Sequence, residues 1–275
     1  MCDLERITHN DLWSHYQTYY GPNNAIAVAV GDFDSREMFE RIRELFGPIP
    51  ARSEPPPVHR PEPPQRGERR VMLEGPGSTA YLDVGFRAPS ATDPDFFPLT
   101  VLGAILTGPS GMNLFAAPPP NRSSRLYQAL VETGLAAGVS GSLSPMLDPY
   151  LYQISVTARA GRQLAELEAV LDAEIARVRE EPIPTSELLT AIKQAKAQFA
   201  YSSESVTNQG FWLGLSSIVA DVDWFDSFVD RLAAVTVEDV QRAANAYLAE
   251  RNRTLGHYLP QERDRDSHPT ASRQG

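Results

Sequence analysis

Metal-activated hydrolysis on a helical frame needs two imidazoles on one face of a turn, a carboxylate between them as base, and a further ligand downstream. The five histidines of this chain stand at positions 9, 15, 59, 257 and 268, and no two are four apart. His9 and His15 are six apart, about 600° around a helix, so they point to different faces. A zinc site from these two and Cys2 can be drawn on paper, but the spacing argues against it. Cys2 is the single cysteine, so the fold rests on no internal disulfide. The Gly- and Pro-bearing loop Gly108–Pro120 lacks the Lys-Ser/Thr of a phosphate-binding loop. Glu166, Glu168 and Glu174 share a long helical pattern with Arg162 and Arg177 and read as a solvated, ion-paired face. Tyr150, Tyr152, Phe211 and Trp212 read as core or interface. No catalytic residue and no metal ligand emerges.

The elements that would position such groups include one that occurs twice. Residues 7–30 (ITHNDLWSHYQTYYGPNNAIAVAV) and 235–258 (VTVEDVQRAANAYLAERNRTLGHY) align without a gap. They match at Thr8/Thr236, Asp11/Asp239, Tyr19/Tyr247 and Asn24/Asn252, with apolar equivalents at Ile7/Val235 and Leu12/Val240. Each copy reads as a Thr-capped amphipathic helix, an Asn-bearing turn and a β-rich run. The second copy follows a domain's length of chain and the first follows six residues, so the first is expected to be the end of another domain.

Between the copies, Ala25–Val30 has strand length, and Ser35 is expected to cap a helix bearing Met38, Ile42, Leu45 and Phe46 on one face, stopped by Gly47-Pro48. Residues 51–70 (ARSEPPPVHRPEPPQRGERR) form a Pro-rich linker that includes His59. Strands follow at 70–75 and 79–87, helices at 95–106 and 122–133, and a hairpin at 135–144 with 150–159. Helices are then expected at 161–181, 185–220 with breaks, 224–234 and 236–248, with a strand at 253–259. This order predicts an α+β, two-layer domain over 71–260, with a mainly antiparallel sheet and helices on one face. A partial copy of it over 1–50 precedes that domain, and a disordered polar tail (261–275) follows. The apolar faces of residues 1–50 have no neighbour in sequence to cover them, which predicts self-association and a possible homo-oligomer.

Across 275 residues, 42% apolar and 22% charged composition is ordinary for a globular protein. A formal charge of −10 argues against nucleic acid, because phosphate binding wants a basic face. The start MCDLERITHND has neither the basic nor the apolar region of a secretory leader, and the longest apolar run (99–106) is far short of a bilayer span. Cytoplasmic location without membrane insertion is the expectation, weakened if a preceding segment carried a signal.

The stretches YYGPNNAIAVAVGDFD (19–34), LFGPIP (45–50), SSRLYQALVETGLAAGVS (123–140) and VTVEDVQRAANAYL…NRTLGHYLP (235–260) resemble the pitrilysin–insulinase family, zinc peptidases with an inverted His-x-x-Glu-His motif that include the mitochondrial processing peptidases. The resemblance implies a processing-peptidase-like fold, two such domains closing around a peptide chamber, and zinc in the first of them. It therefore implies no cofactor on this chain and zinc in the missing or partner half, with a peptide substrate and a His-x-x-Glu-His-bearing subunit or domain as partners. Many members carry an Arg and, seven residues later, a Tyr just after Gly-Leu-Ala. Anchored on Gly134-Leu135-Ala136, those positions hold Leu130 and Ala137, and both polar groups are absent. Arg122 and Arg125 remain as residues that could face a peptide in the chamber. The expected function is the non-catalytic C-terminal portion of such a peptidase, inactive alone. The alternatives are a structural assembly subunit of the same fold and a truncated gene product.

Overall fold

The computed structural model describes residues 4–57, 62–109 and 121–261. Cys2, His59, His268, most of the loop 108–120 and nearly all of the tail lie outside the described residues. The chain divides into two units, residues 1–64 with 203–222, and residues 65–202 with 223–275.

The larger unit is built on a sheet of β1 (Arg69–Pro76), β2 (Tyr81–Ala88), β3 (Ala136–Leu143), β4 (Tyr150–Ala158) and β5 (Arg253–Gln261), in the order β1-β5-β2-β4-β3. β2 runs antiparallel to β4 and β5, β3 antiparallel to β4, and β1 parallel to β5. Strand periodicity puts alternate residues on opposite faces. Leu82, Val84, Phe86 and Ala88 of β2 are buried with Tyr152, Ile154, Val156 and Ala158 of β4, while Tyr81 and Asp83 are exposed. The buried face carries α3 (Phe96–Leu106), α4 (Leu164–Glu180) and α9 (Val237–Tyr247). α3 is apolar all round and almost wholly buried, as a central helix must be. α5 (Thr185–Ser202) and α8 (Phe228–Ala233) pack beyond it.

The stretch expected as one helix over 224–234 is two: α7 (Val222–Asp226), which spans the boundary between the units, and α8. They hold an aromatic cluster in which Trp224 lies 5.7 Å from Phe96 and 5.2 Å from Phe228, ring centre to ring centre. The Trp224 indole donates to Ala91 O at 2.9 Å, so its buried polar atom is satisfied. The helix expected over 122–133 winds from Tyr127 to Glu132 as a π-helix. It closes with Leu135 N–H donating to Leu130 O and Gly134 N–H to Val131 O, both 3.0 Å. That Schellman closure needs a left-handed residue, and Gly134 supplies it at φ +77°.

Gly141 on β3 faces Thr107 at the end of α3. A Cβ there would stand 2.3 Å from Thr107 Oγ1, whose hydroxyl is committed to Gly103 O at 3.0 Å. Gly141→Ala is therefore an overpacking substitution. It should cost about 1–3 kcal/mol and lower Tm by roughly 3–10 °C for a domain of this size; an unchanged melting curve would contradict the contact.

The acidic face expected on α4 is not uniformly solvated. Glu166 is half exposed and meets Arg162 only at 4.0 Å. Glu168 is mostly buried, takes Arg70 at 2.5 Å, and has His257 Nε2 3.1 Å away, outside hydrogen-bond alignment. Glu174 is equally buried. Position along α4 decides the difference: Glu168 lies over β1 and β5, which sequence spacing alone does not reveal.

In the smaller unit, α1 (His9–Tyr19) and α2 (Ser35–Phe46) contain no buried residue. Asp34, not Ser35, caps α2, accepting from Arg36 N and Glu37 N at 2.9 and 3.0 Å. Ala25–Val30, expected as a strand, starts in extended backbone at Ala25 but has no ladder partner among the described residues. A strand becomes one only when its N–H and C=O groups find a neighbour. α6 (Val206–Val219) belongs to this unit.

Candidate functional site

Arg122 and Arg125 open the segment before the π-helix, and the fold gives them different surroundings. Arg122 is exposed. Arg125 is half-buried and grips Glu187 of α5 with a two-pronged fork, Nε to Oε1 at 2.8 Å and Nη2 to Oε2 at 2.7 Å. Hydrogen bonding to Glu187 raises the Arg125 pKa above its ordinary value, against the opposing effect of burial. The structure thus commits two nitrogens of Arg125 to α5. Its Nη1 is buried with no hydrogen-bond partner among the described residues.

Asn121 pins the same segment. Its Oδ1 accepts from Ser123 N and Oγ at 3.1 and 2.7 Å, and its amide donates to Gln194 Oε1 at 2.8 Å. A cleft of about 230 Å³ lies beside it, lined by Ala104, Ser123, Ser124, Glu187, Thr190 and Gln194 among others. Its polar lining is hydroxyl and amide with one carboxylate, Glu187, already paired with Arg125, and Ala104, Ile105 and Ala191 make the rest apolar, so it offers hydrogen bonds beside an apolar wall.

Leu130 and Ala137, where the resemblance places substrate-binding polar groups, are respectively fully buried in the π-helix and exposed on β3. Leu130 is a packing residue. Among the described residues, no three His, Cys, Asp or Glu side chains stand close enough to hold a metal ion. His9 and His15 lie exposed on α1, His15 against Tyr19 with ring centres 4.6 Å apart. These residues do not fit a catalytic zinc. No described helix is long and apolar enough to cross a membrane.

The feature that sequence spacing did single out, the repeated segment, has matching local geometry in its two copies. Thr8 and Thr236 cap their helices at φ/ψ of −99°/164° and −101°/169°, each with a reciprocal box to the acid three residues on. Asp11 accepts from Thr8 N at 2.8 Å, and Asp239 from Thr236 N at 3.0 Å. Thr8 pulls the Asp11 carboxyl below its usual pKa, and Arg242 and Thr236 do the same for Asp239. Both helices run into a short 3₁₀ turn, Pro22–Asn24 and Glu250–Asn252. In both, the turn's Asn amide reaches back to the helix-end carbonyl, Asn24 to Tyr19 O at 2.9 Å and Asn252 to Tyr247 O at 2.8 Å.

Burial then separates the copies. Val240 and Ala244 are wholly buried and Leu248 is 1% exposed; their counterparts Leu12, Tyr16 and Tyr20 are 62%, 43% and 64% exposed. Asn252 also donates to Arg87 O at 2.8 Å, a bond to the end of β2. Asn252→Ala should therefore cost about 1–3 kcal/mol by stranding buried groups, while Asn24→Ala should leave the melting curve within error. Paired denaturation of the two variants checks this.

The larger unit is a mixed α+β fold of a five-stranded sheet and helices, and no metal-ligand cluster stands among the described residues. Residues 6–195 match the peptidase M16 inactive domain, and the chain belongs to that family. It is 22% identical over 258 residues to the zinc protease PqqE of Helicobacter pylori, covering 92% of this chain and 55% of that protein. It is 24% identical over 251 residues to the mitochondrial-processing peptidase subunit beta of Blastocladiella emersonii, covering 91% and 52%. The crystal structure of a protease from Helicobacter pylori superposes with a TM-score of 0.83 at 21% identity, over 94% of this chain and 61% of that one. The chain thus spans about half the length of the curated relatives it matches.

Proposed function

We propose that this chain is the non-catalytic half of a zinc-peptidase-like assembly, forming one wall of a peptide chamber against a half that carries His-x-x-Glu-His. In this reading residues 1–50 close a first domain, 51–70 link, and 71–260 form the second, inactive domain. Membership of the inactive-domain family supports the absence of chemistry here, and the zinc protease and processing peptidase relatives suggest where chemistry resides. The observation that carries the reading is α1: a correctly capped helix whose apolar positions lie open while their counterparts in α9 are sealed. Exposing that much apolar side chain has a cost that a covering partner removes.

Arg122 and the cleft beside Ser123 would contribute hydrogen bonds to a peptide, with the polarising metal and the base both supplied from the other half. The test has two parts. The purified chain alone should hold no stoichiometric zinc and cleave no peptide. Co-expressed with the His-x-x-Glu-His-bearing polypeptide encoded beside it or in frame with it, it should raise that polypeptide's peptide cleavage at least tenfold. Zinc and cleavage by the chain alone, or no effect on the partner's rate, would each overturn the proposal.

A further inference from the structure

We propose that β1 is a dimerisation strand, pairing antiparallel with β1 of a second copy of this chain about a two-fold axis at Met72. The proposal concerns the larger unit alone and does not depend on the partner reading above.

The five-stranded sheet ends in two edges, β3 and β1. A free edge is a row of unpaired N–H and C=O groups that can template another strand. The two edges are not alike. β3 is mostly Ala, Gly and Ser, and its register against β4 shifts between Ala136 and Gly138, an irregularity that turns an edge away from new partners. β1 has no such safeguard. Its ladder with β5 runs unbroken from Arg69 to Pro76, and its outer side has no strand partner among the described residues. Val71, Met72 and Leu73 stand together at its centre, 47%, 64% and 60% exposed.

The register with β5 sorts β1 by face. Arg70, Met72 and Glu74 lie beside Leu255, His257 and Leu259 on the helix side, where Arg70 reaches Glu168 of α4. Val71 and Leu73 lie beside Gly256 and Tyr258 on the other side, where Tyr258 meets Tyr81 with ring centres 6.0 Å apart.

A two-fold pairing must set one residue opposite itself, because hydrogen-bonded and non-hydrogen-bonded positions alternate along an antiparallel ladder. Centred on Met72, it sets Arg70 opposite Glu74 twice and Val71 opposite Leu73 twice. Centred on Val71, it would oppose the acids Glu68 and Glu74; centred on Leu73, it would set Met72 against Glu74. A parallel pairing in register would place Arg69 and Arg70 beside their own copies. Opposite charges across a ladder stabilise it and like charges destabilise it, so one orientation and one register stand out. The groups needed are still available. Arg70 commits Nε to Glu68 and Nη2 to Glu168, leaving Nη1; Glu74 takes Gln261 on Oε2, leaving Oε1. This self-complementarity favours a second copy over an unrelated strand. The interface is small, so the dissociation constant should be about 10 µM.

Sedimentation velocity on the full chain tests this, with a discrete dimer replacing monomer between about 1 and 100 µM. Met72→Lys sets two ammonium groups face to face on the axis. It should weaken the dimer at least tenfold and leave the monomer's melting unchanged, since Met72 is exposed. In a Cys2→Ser background, Met72→Cys should form an intermolecular disulfide on mild oxidation, its two Cβ atoms being about 5 Å apart. Glu74→Cys should not, because copies two residues from the axis stand about 13 Å apart. A chain still monomeric at about 100 µM overturns the proposal. So does a dimer indifferent to Met72→Lys, or one in which Glu74→Cys cross-links as fast as Met72→Cys. A dimer abolished by Leu12→Asp but not by Met72→Lys would belong to α1. Protection of the β1 amides from exchange only by an added extended peptide would assign the edge to peptide. Either result overturns the inference and leaves the functional proposal standing.

Discussion

Val240→Asp should abolish cooperative folding of the larger unit, whereas Leu12→Asp, its counterpart 228 residues earlier, should leave the unit's stability unchanged and reduce self-association. The two residues occupy the same turn of helices with matching caps, so helix position and capping are the same for both. Environment is the large difference. Val240, on α9, is wholly buried, and a carboxylate there would lose its hydration. Losses of more than about 4 kcal/mol are expected from an unpaired buried charge, comparable with the entire stability of many domains. Leu12 is 62% exposed, so an aspartate there stays hydrated and the stability change should fall within about 0.5 kcal/mol. Removing one apolar contact point should also lower the apparent mass measured by light scattering at high concentration. Urea melts of the two variants side by side decide the matter. A destabilisation by Leu12→Asp comparable to that of Val240→Asp would mean that α1 is enclosed in solution by this same chain.

The contrast also marks how far the sequence could be read. The closing segment was legible because its signals are local: a Thr and an acid three residues apart specify the box at Thr236 whatever lies around it. The strands β2 and β4 were legible because one face is buried and the alternation is preserved in the residue types. Ala25–Val30 misled, since apolar residues of strand length state a preference that only a neighbouring ladder can realise. The Arg125–Glu187 fork spans 62 positions and Glu168 meets Arg70 across 98, so neither pairing has a signature within any window of sequence. The π-helix at Tyr127–Glu132 likewise shows the same apolar spacing that an α-helix would. Membership of the inactive-domain family agrees with the lack of any His pair at ligand spacing. Both statements concern what this chain does not carry.

Arg253→Met should prove the most damaging single change on the sheet, and it should act through the acids it leaves behind. Arg253 is 6% exposed at the start of β5 and holds three elements together: Glu68 ahead of β1, Asp172 on α4, and its own strand. Arg70 closes the circuit, pairing with Glu68 and with Glu168, beside which His257 stands. Burial by itself would raise the Glu68 carboxyl above its ordinary value of 4.5, but hydrogen bonds from Arg253 and Arg70 outweigh it and the net shift is downward. Because the folded-state value is depressed, this pair contributes fully above the unfolded-state value and its contribution is lost as pH falls through the folded one. The wild-type chain should accordingly be most stable near neutral pH and lose stability below about pH 4.5. In Arg253→Met the methionine recovers packing along α4 but leaves Glu68 in a mostly buried site opposite the half-exposed Arg70. A loss of about 3–5 kcal/mol at pH 7 follows from breaking one side of a buried ionic cluster. The sign of the pH response should invert locally, since protonating a stranded Glu68 now relieves the fold: the stability difference from wild type should narrow as pH falls from 7 to 4. Adding Glu68→Gln to Arg253→Met should recover part of the loss at pH 7. Denaturant melts at both pH values measure this directly, and a stability gap that widens on acidification would show that Arg253 acts through packing, not through its charge.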